Sequence, residues 1–311
     1  MLCSVSIDLD PISCYYRIHA LGSSPRSLCD VILRRAVPRF LDVFSRHNIK
    51  ATFFVVAEEL EERAGKQAAR ALVREIVAAG HEVGNHSFSH PYELARLPRA
   101  RVVEEIGRAH VLIGDATGTP PVGFRAPGYD ISADMLDELC HLGYRYDSSI
   151  FPAPGYYLAK VGVMFALFAL GKKSGAVLTD PRALVASPSP YRPDRSAPWR
   201  KGNAPIIELP IAVTPWLRLP AIGTSLLLAP PRIRAHWLEQ MRRRPFFNLE
   251  LHGIDLIDAE RDGIPAELVA RQPDLRVSLS SKQRAFEATL GRLMLEYEFV
   301  TLGEAAGGYG A

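Results

Sequence analysis

The feature that most narrows the fold is an alternation of two periodicities along residues 2 to 147. Short runs rich in β-branched and aromatic residues are each followed by a longer stretch with helical spacing. "LCSVSIDL" (2–9), "ATFFVV" (51–56), "HEVGNH" (81–86), residues 122–125 and "YRYDSS" (144–149) read as strands. Helices are expected at about 30–47, 66–79, 98–114 and 132–142. In the first of these, Val37, Phe40, Leu41, Phe44 and Ile49 approximate one apolar stripe. Gly80 and Gly143 are natural helix stops. Strands alternating with helices predict an α/β fold on parallel strands, either a barrel or a doubly wound sheet. Chemistry in such folds gathers at the C-terminal ends of strands. Asp8, His86, Arg125 and Asp147 all fall at such ends.

The alternation breaks over residues 152–204, a Pro-, Gly-, Arg- and Tyr-rich segment around an apolar core that reads as an insertion or cap. It resumes with a strand at 205–211, a helix near 231–244, the strand "FFNLELH" (246–252), a helix near 281–296 and a last strand, "EFVTL". The chain of 311 residues is expected to form a single domain over 1–311 interrupted by that segment. A net charge of +3 is too mild to argue for nucleic acid, and no basic run with interleaved aromatics is present. The four cysteines form no C-x-x-C pair and read as reduced thiols. The start, "MLCSVSIDLDP", has no basic region before an apolar one, so the expected location is cytoplasmic.

Chemistry concentrates in a few stretches. "SIDLDP" places Asp8 and Asp10 two apart, and strand residues i and i+2 face the same way. Two carboxylates that close call for a cation or a shared proton. In "HSFSH", His86 and His90 can converge if the stretch makes a helical turn. Two imidazoles and a carboxylate form a three-ligand metal set with positions left for water. "GFRAPGYD" supplies Arg125 and Tyr129, "YDSS" supplies Asp147, and "LELH" supplies His252 at a strand end. The remaining histidines, His19 and His81 among them, read as structural or surface residues.

In this order, these stretches resemble the motifs of the NodB-homology polysaccharide deacetylases, carbohydrate esterase family 4. The similarity also includes "HNIKATFFVV" and "AAGHEVGNHSFSHP"; it covers about 4–150 well and 205–305 loosely. The usual adjacent aspartates are replaced by Asp-Leu-Asp, a spacing similar to the branch acting on lipid-linked or unusual amino sugars. The resemblance implies a distorted (β/α)7-8 barrel and hydrolysis of an N-acyl group on an amino sugar. It implies a divalent ion on Asp10, His86 and His90, with Zn2+ the first expectation and Co2+, Ni2+, Fe2+ or Mn2+ compatible. It also implies Asp8 as general base, Arg125 as the residue orienting it, and His252 as general acid. The backbone N–H of Tyr129 is assigned to the oxyanion and Asp147 to a supporting role. Two other readings keep the fold: an N-deformylase or other amide hydrolase, and a non-catalytic carbohydrate- or lipid-binding protein.

The insertion contains "YYLAKVGVMFALFALGKKSG" (156–175), with no polar residue from Val161 to Leu170. As a helix, 156–171 would be about 24 Å long, short of the roughly 30 Å needed to span a bilayer. It is expected either to bury itself against the barrel or to lie in a membrane interface, with Lys160, Lys172 and Lys173 near headgroups. With "TPWLRLPAIGTSLLLAPP" further along, it suggests an apolar approach for the lipid tail of a glycolipid, hopanoid glycolipid or polyprenyl-phosphate sugar. The expected location then extends to the inner face of the membrane.

Overall fold

The structure is a computed structural model that describes residues 1–61, 67–172 and 174–310. Lys66, at the expected start of the second helix, and Lys173 lie outside the described residues. Seven parallel strands follow the order β6-β5-β4-β3-β2-β1-β7, and an eighth pairs with the start of the first. They are β1 (Leu2–Leu9), β2 (Thr52–Val55), β3 (Glu82–Asn85), β4 (Gly123–Phe124), β5 (Tyr146–Asp147), β6 (Ile207–Glu208), β7 (Phe246–His252) and β8 (Glu298–Phe299). The gap between β6 and β7 is bridged outside the ladder. The Ala212 N–H donates to Asn248 O (3.1 Å), and Asn248 Nδ2 donates to Leu209 O (3.1 Å). The result is an α/β half-barrel ringed by helices, the distorted barrel the sequence predicts.

The period-two pattern of β1 explains both faces of the sheet. Cys3, Val5, Ile7 and Leu9 face outward into the main core, beside Phe40 and Phe44 of α2 (Val37–His47) and Phe286 of α10 (Leu279–Leu293). Phe40, Phe44 and Phe286 are fully buried, each contributing roughly 1.5–3 kcal/mol. The residues in between, Ser4, Ser6 and Asp8, face the barrel interior, as do Asn248, Glu250 and His252 on β7. The register sets Ser4 opposite Asn248, Ser6 opposite Glu250 and Asp8 opposite His252.

That interior is narrow, and two glycines make it passable. A Cβ on Gly84 would sit 2.6 Å from the Phe54 ring, and one on Gly123 would sit 1.9 Å from the Tyr146 ring. The space they leave lets Phe54 lie 4.4 Å beneath the Arg125 guanidinium.

The segment 152–204 holds α6 (Pro154–Ala169) and continues as mostly irregular chain, with a short 3-10 turn at Pro181–Val185, before β6. It is strapped across the strand ends by Ser174 Oγ donating to Ile18 O (2.8 Å) and Thr179 Oγ1 donating to Gly128 O (3.1 Å). The helix is not buried, contrary to one expectation. Only Leu167 is, while Leu158, Phe165 and Phe168 are 68%, 70% and 76% exposed. Among the described residues, no helix is long and apolar enough to cross a membrane.

Candidate active site

Three side chains converge beyond β1 and β3. Asp10 Oδ1 lies 3.1 Å from His86 Nε2 and 3.2 Å from His90 Nε2. The two histidines are not brought together by a helical turn as expected. "HSFSH" is an irregular loop in which Ser87 (φ 65°) and His90 (φ 56°) take left-handed conformations. Asn85 Oδ1 holds the Ser87 N–H (2.7 Å), and Ser87 Oγ holds the His90 N–H (3.1 Å). These side-chain bonds replace helical ones, so the turn is set by Asn85 and Ser87.

The donor set fits a divalent ion. His86 Nδ1 is bonded to Arg125 O (2.7 Å) and His90 Nδ1 contacts Cys14 Sγ (3.5 Å), which leaves both Nε2 atoms facing Asp10. Asp10 Oδ1 and His90 Nε2 are buried yet make no hydrogen bond, despite their separation of 3.2 Å. The ligand atoms of Asp10, His86 and His90 all lie within 4.8 Å of one another, as a shared ion requires. Burial opposes charge on Asp10, but His90 and His86 hold its carboxyl well below the usual range. Burial likewise opposes charge on His90, but Asp10 and then Cys14 raise it to about 10. Protons therefore compete for this site.

Asp8 stands beside this cluster, its Oδ2 3.8 Å from His86 Nε2 and its Oδ1 2.6 Å from Arg125 Nη1. Arg125 is completely buried, and its other donors reach Ser6 Oγ, Ser148 Oγ and Ser148 O, each at 2.9 Å. The guanidinium therefore has one orientation, and it fixes Asp8.

His252 closes the group from β7. Its Nδ1 lies 2.9 Å from Glu250 Oε1, and its Nε2 lies 3.3 Å from the Tyr129 hydroxyl. Burial works against its charge, but Glu250 outweighs that and holds the imidazolium well above the usual histidine range. Sequence reasoning missed Glu250, although the same i, i+2 rule that paired Asp8 with Asp10 pairs it with His252. Tyr129 enters differently from expectation. Its N–H is engaged by Ala126 O (3.1 Å), and its hydroxyl reaches the site instead.

Asp147 is not brought into the group. It accepts from Ser149 Oγ (2.6 Å) and is hydrogen-bonded to Glu208 on β6. Burial, then proximity to Asp147, pushes Glu208 well above the carboxylate range, so one proton is held between the two. β5 is only two residues long and turns this carboxylate toward β6.

The cluster lines a cavity of about 380 Å3. Opposite the polar groups its wall is apolar, formed by Ile18, Val163, Met164, Ile222 and Ile254. His19, expected to be structural, lines it and is bonded to Gln272 (2.8 Å). Lys160, expected near headgroups, lines it too. His81 lies elsewhere, packed between Phe44 and Phe53.

Comparison with known proteins bears on family and fold. Residues 28–146 match the family model for polysaccharide deacetylase. A peptidoglycan deacetylase of Helicobacter pylori is 29% identical over 153 residues, 48% of this chain and 50% of that protein. A chitooligosaccharide deacetylase of Bradyrhizobium is 37% identical over 100 residues, 32% of this chain and 42% of that one. The chain thus spans half the length, or less, of these relatives. In fold, a putative polysaccharide deacetylase from Mycobacterium smegmatis superimposes with a TM-score of 0.56 at 16% identity, covering 98% of this chain and 89% of that one. The Puue allantoinase also gives 0.56, at 14% identity over 99% of this chain and 89% of that one. Fold, motifs and matches agree, and residues 28–146 match the polysaccharide deacetylase domain, the NodB-homology domain of carbohydrate esterase family 4.

Proposed function

We propose that this protein is a metal-dependent N-deacetylase acting on an amino sugar attached to a lipid, with residues 152–204 forming a cap over the site within one domain. The observation that carries the catalytic part is the trio of Asp10, His86 and His90, with Asp10 Oδ1 and His90 Nε2 buried and without hydrogen bonds. The relatives named above as deacetylases point to the same reaction class. Nitrogen and carboxylate donors suit zinc first. Bound there, a divalent ion would acidify water and polarise the acyl carbonyl.

The chain's own residues do the rest. Asp8, pinned by Arg125, accepts the proton released as water adds to the carbonyl carbon. His252, kept protonated by Glu250, delivers a proton to the amide nitrogen as the C–N bond breaks. The Tyr129 hydroxyl, bonded to Glu250 at 3.2 Å, steadies that histidine. The products are a free amine and a short-chain acid.

The lipid and the membrane contact rest on surface character. The cavity's apolar wall runs along α6, whose far side exposes Leu158, Phe165 and Phe168, while Trp216 is 98% and Leu217 74% exposed. Exposed aromatic and aliphatic side chains on one helix suit an interfacial position.

The test is acetate release from a soluble N-acetyl sugar and from a lipid-linked one, with chelator and with zinc restored. Acetate that disappears with chelator, a faster lipid-linked substrate, and vesicle binding lost in Phe165→Ser/Phe168→Ser are expected. Asp8→Asn should keep the ion, measured by metal analysis, and lose about 10²–10⁴ in turnover. Formate instead of acetate would make the protein a deformylase. An ion-loaded protein releasing neither would sink the hydrolase reading.

A further inference from the structure

Lys160 is the one lysine or arginine among the described residues lining the cavity. It lies on the inner face of α6, one turn from Tyr156 and Met164, which line the same cavity. Its ammonium sits over the "RAPGY" turn: a Cβ on Gly128 would be 4.0 Å from Lys160 Nζ. Gly128, at φ 68°, carries no side chain to keep it away.

Among the described residues, this ammonium has no hydrogen-bond or ion-pair partner. Asp130 pulls on it from beyond ion-pair distance and is shared with other partners. Asp130 lies 3.9 Å from Arg96 and accepts the Asp180 N–H at 2.9 Å. Burial pushes the Lys160 ammonium down to about 8, against the pull of Asp130. Lys160 is half-buried, and an opposite charge arriving in the cavity would gain more from this ammonium against an apolar wall than from one in open water.

We propose that Lys160 binds an oxyanion of the substrate, a phosphate or a carboxylate close to the N-acyl group. The inference deepens the deacetylase reading and rests on it. It divides the cavity into a hydrolytic end at β1, β3 and β7 and an anion anchor on α6. The anchor belongs to the inserted segment, so substrate choice and chemistry lie on separate pieces of chain.

The test uses the full chain loaded with zinc and three probes: N-acetylglucosamine, its 1-phosphate and N-acetylmuramic acid, which carries a carboxylate. Acetate release gives kcat/KM and calorimetry gives Kd for wild type, Lys160→Met and Lys160→Arg. The wild type should prefer an anionic probe over the neutral one by at least tenfold. That ratio should fall to near one in Lys160→Met and largely return in Lys160→Arg. The arm that carries the preference, phosphate or carboxylate, identifies the source of the charge. The preference should also fade as pH rises through about 8, which a merely structural lysine would not produce.

A ratio near one in wild type, or unchanged in Lys160→Met, overturns the proposal, because binding that survives the substitution belongs to the ion. If Lys160→Met does not fold by circular dichroism, Lys160→Gln takes its place. If no soluble probe yields acetate, the lipid-linked substrate decides the deacetylase reading and calorimetry decides the anchor. Lys160-dependent affinity for an anionic probe upholds the anchor, and its absence overturns it.

Discussion

Replacing Arg125 by methionine tests whether the barrel interior is built around one ion pair. The substitution keeps an apolar stem against Phe54 but removes the guanidinium's bonds to Asp8 (2.6 Å), Ser6 and Ser148 (2.9 Å). The serines keep other partners, Ser6 with Asn248 (3.0 Å) and Ser148 with Leu209 O (2.8 Å). Asp8, 1% exposed, does not keep a comparable cation. Breaking a buried pair by removing one member costs about 3–5 kcal/mol, chiefly for the stranded charge. Adding Asp8→Asn removes that charge, so the double variant should recover about 2 kcal/mol of the loss. Urea unfolding followed by circular dichroism, on chelator-treated protein so that ion binding adds nothing, gives these values. A double variant as unstable as the sum of the two singles would refute the reasoning, as would a loss under about 1 kcal/mol in Arg125→Met.

Two further predictions concern the scaffold. Gly123→Ala drives a Cβ to 1.9 Å from a Tyr146 ring that Glu82 Oε1 (3.0 Å) holds in place, and should cost about 1–3 kcal/mol or more. Gly107→Ala, in α4 (Arg99–Thr117) with open space around it, should stabilise by about 0.5–1 kcal/mol; urea midpoints that move the same way contradict this. His81 accepts the Ala51 N–H on Nδ1 (3.0 Å), and burial, then Lys50, lowers it to about 4. The unfolded chain binds a proton near pH 6.5 that the folded one refuses, so this contribution is complete above about 6.5 and lost as pH falls toward 4. His81→Asn, which keeps an acceptor, should flatten that part of the stability–pH curve; an unchanged slope would count against the assignment.

Where a residue's role follows from strand alternation, it could be read from the chain alone. Asp8 and Asp10 were legible that way, and so was the parallel α/β architecture. Glu250 is equally accessible by its spacing from His252, since i and i+2 on β7 share a face. The turn joining His86 to His90 was not legible. It depends on two left-handed residues and on side-chain bonds from Asn85 and Ser87, which no hydrophobic period reports. Lys160 was misplaced for a related reason. Helix 156–171 is apolar nearly all round, so its sequence does not say which face meets the protein, and only the straps at Ser174 and Thr179 decide it.

The pairing of β1 with β7 carries a consequence for how such a site can change. Asp8 faces His252 because main-chain amides and carbonyls zip the two strands from Leu2 and Phe246 onward. The spacing of Asp8 and His252 along the sheet is therefore a property of the peptide ladder and owes little to the side chains around it. Loops at the strand ends, and residues 152–204 with them, can be rewritten without retuning that distance. A one-residue slip of β1 against β7 would turn Asp8 into the helical layer and leave His252 without it.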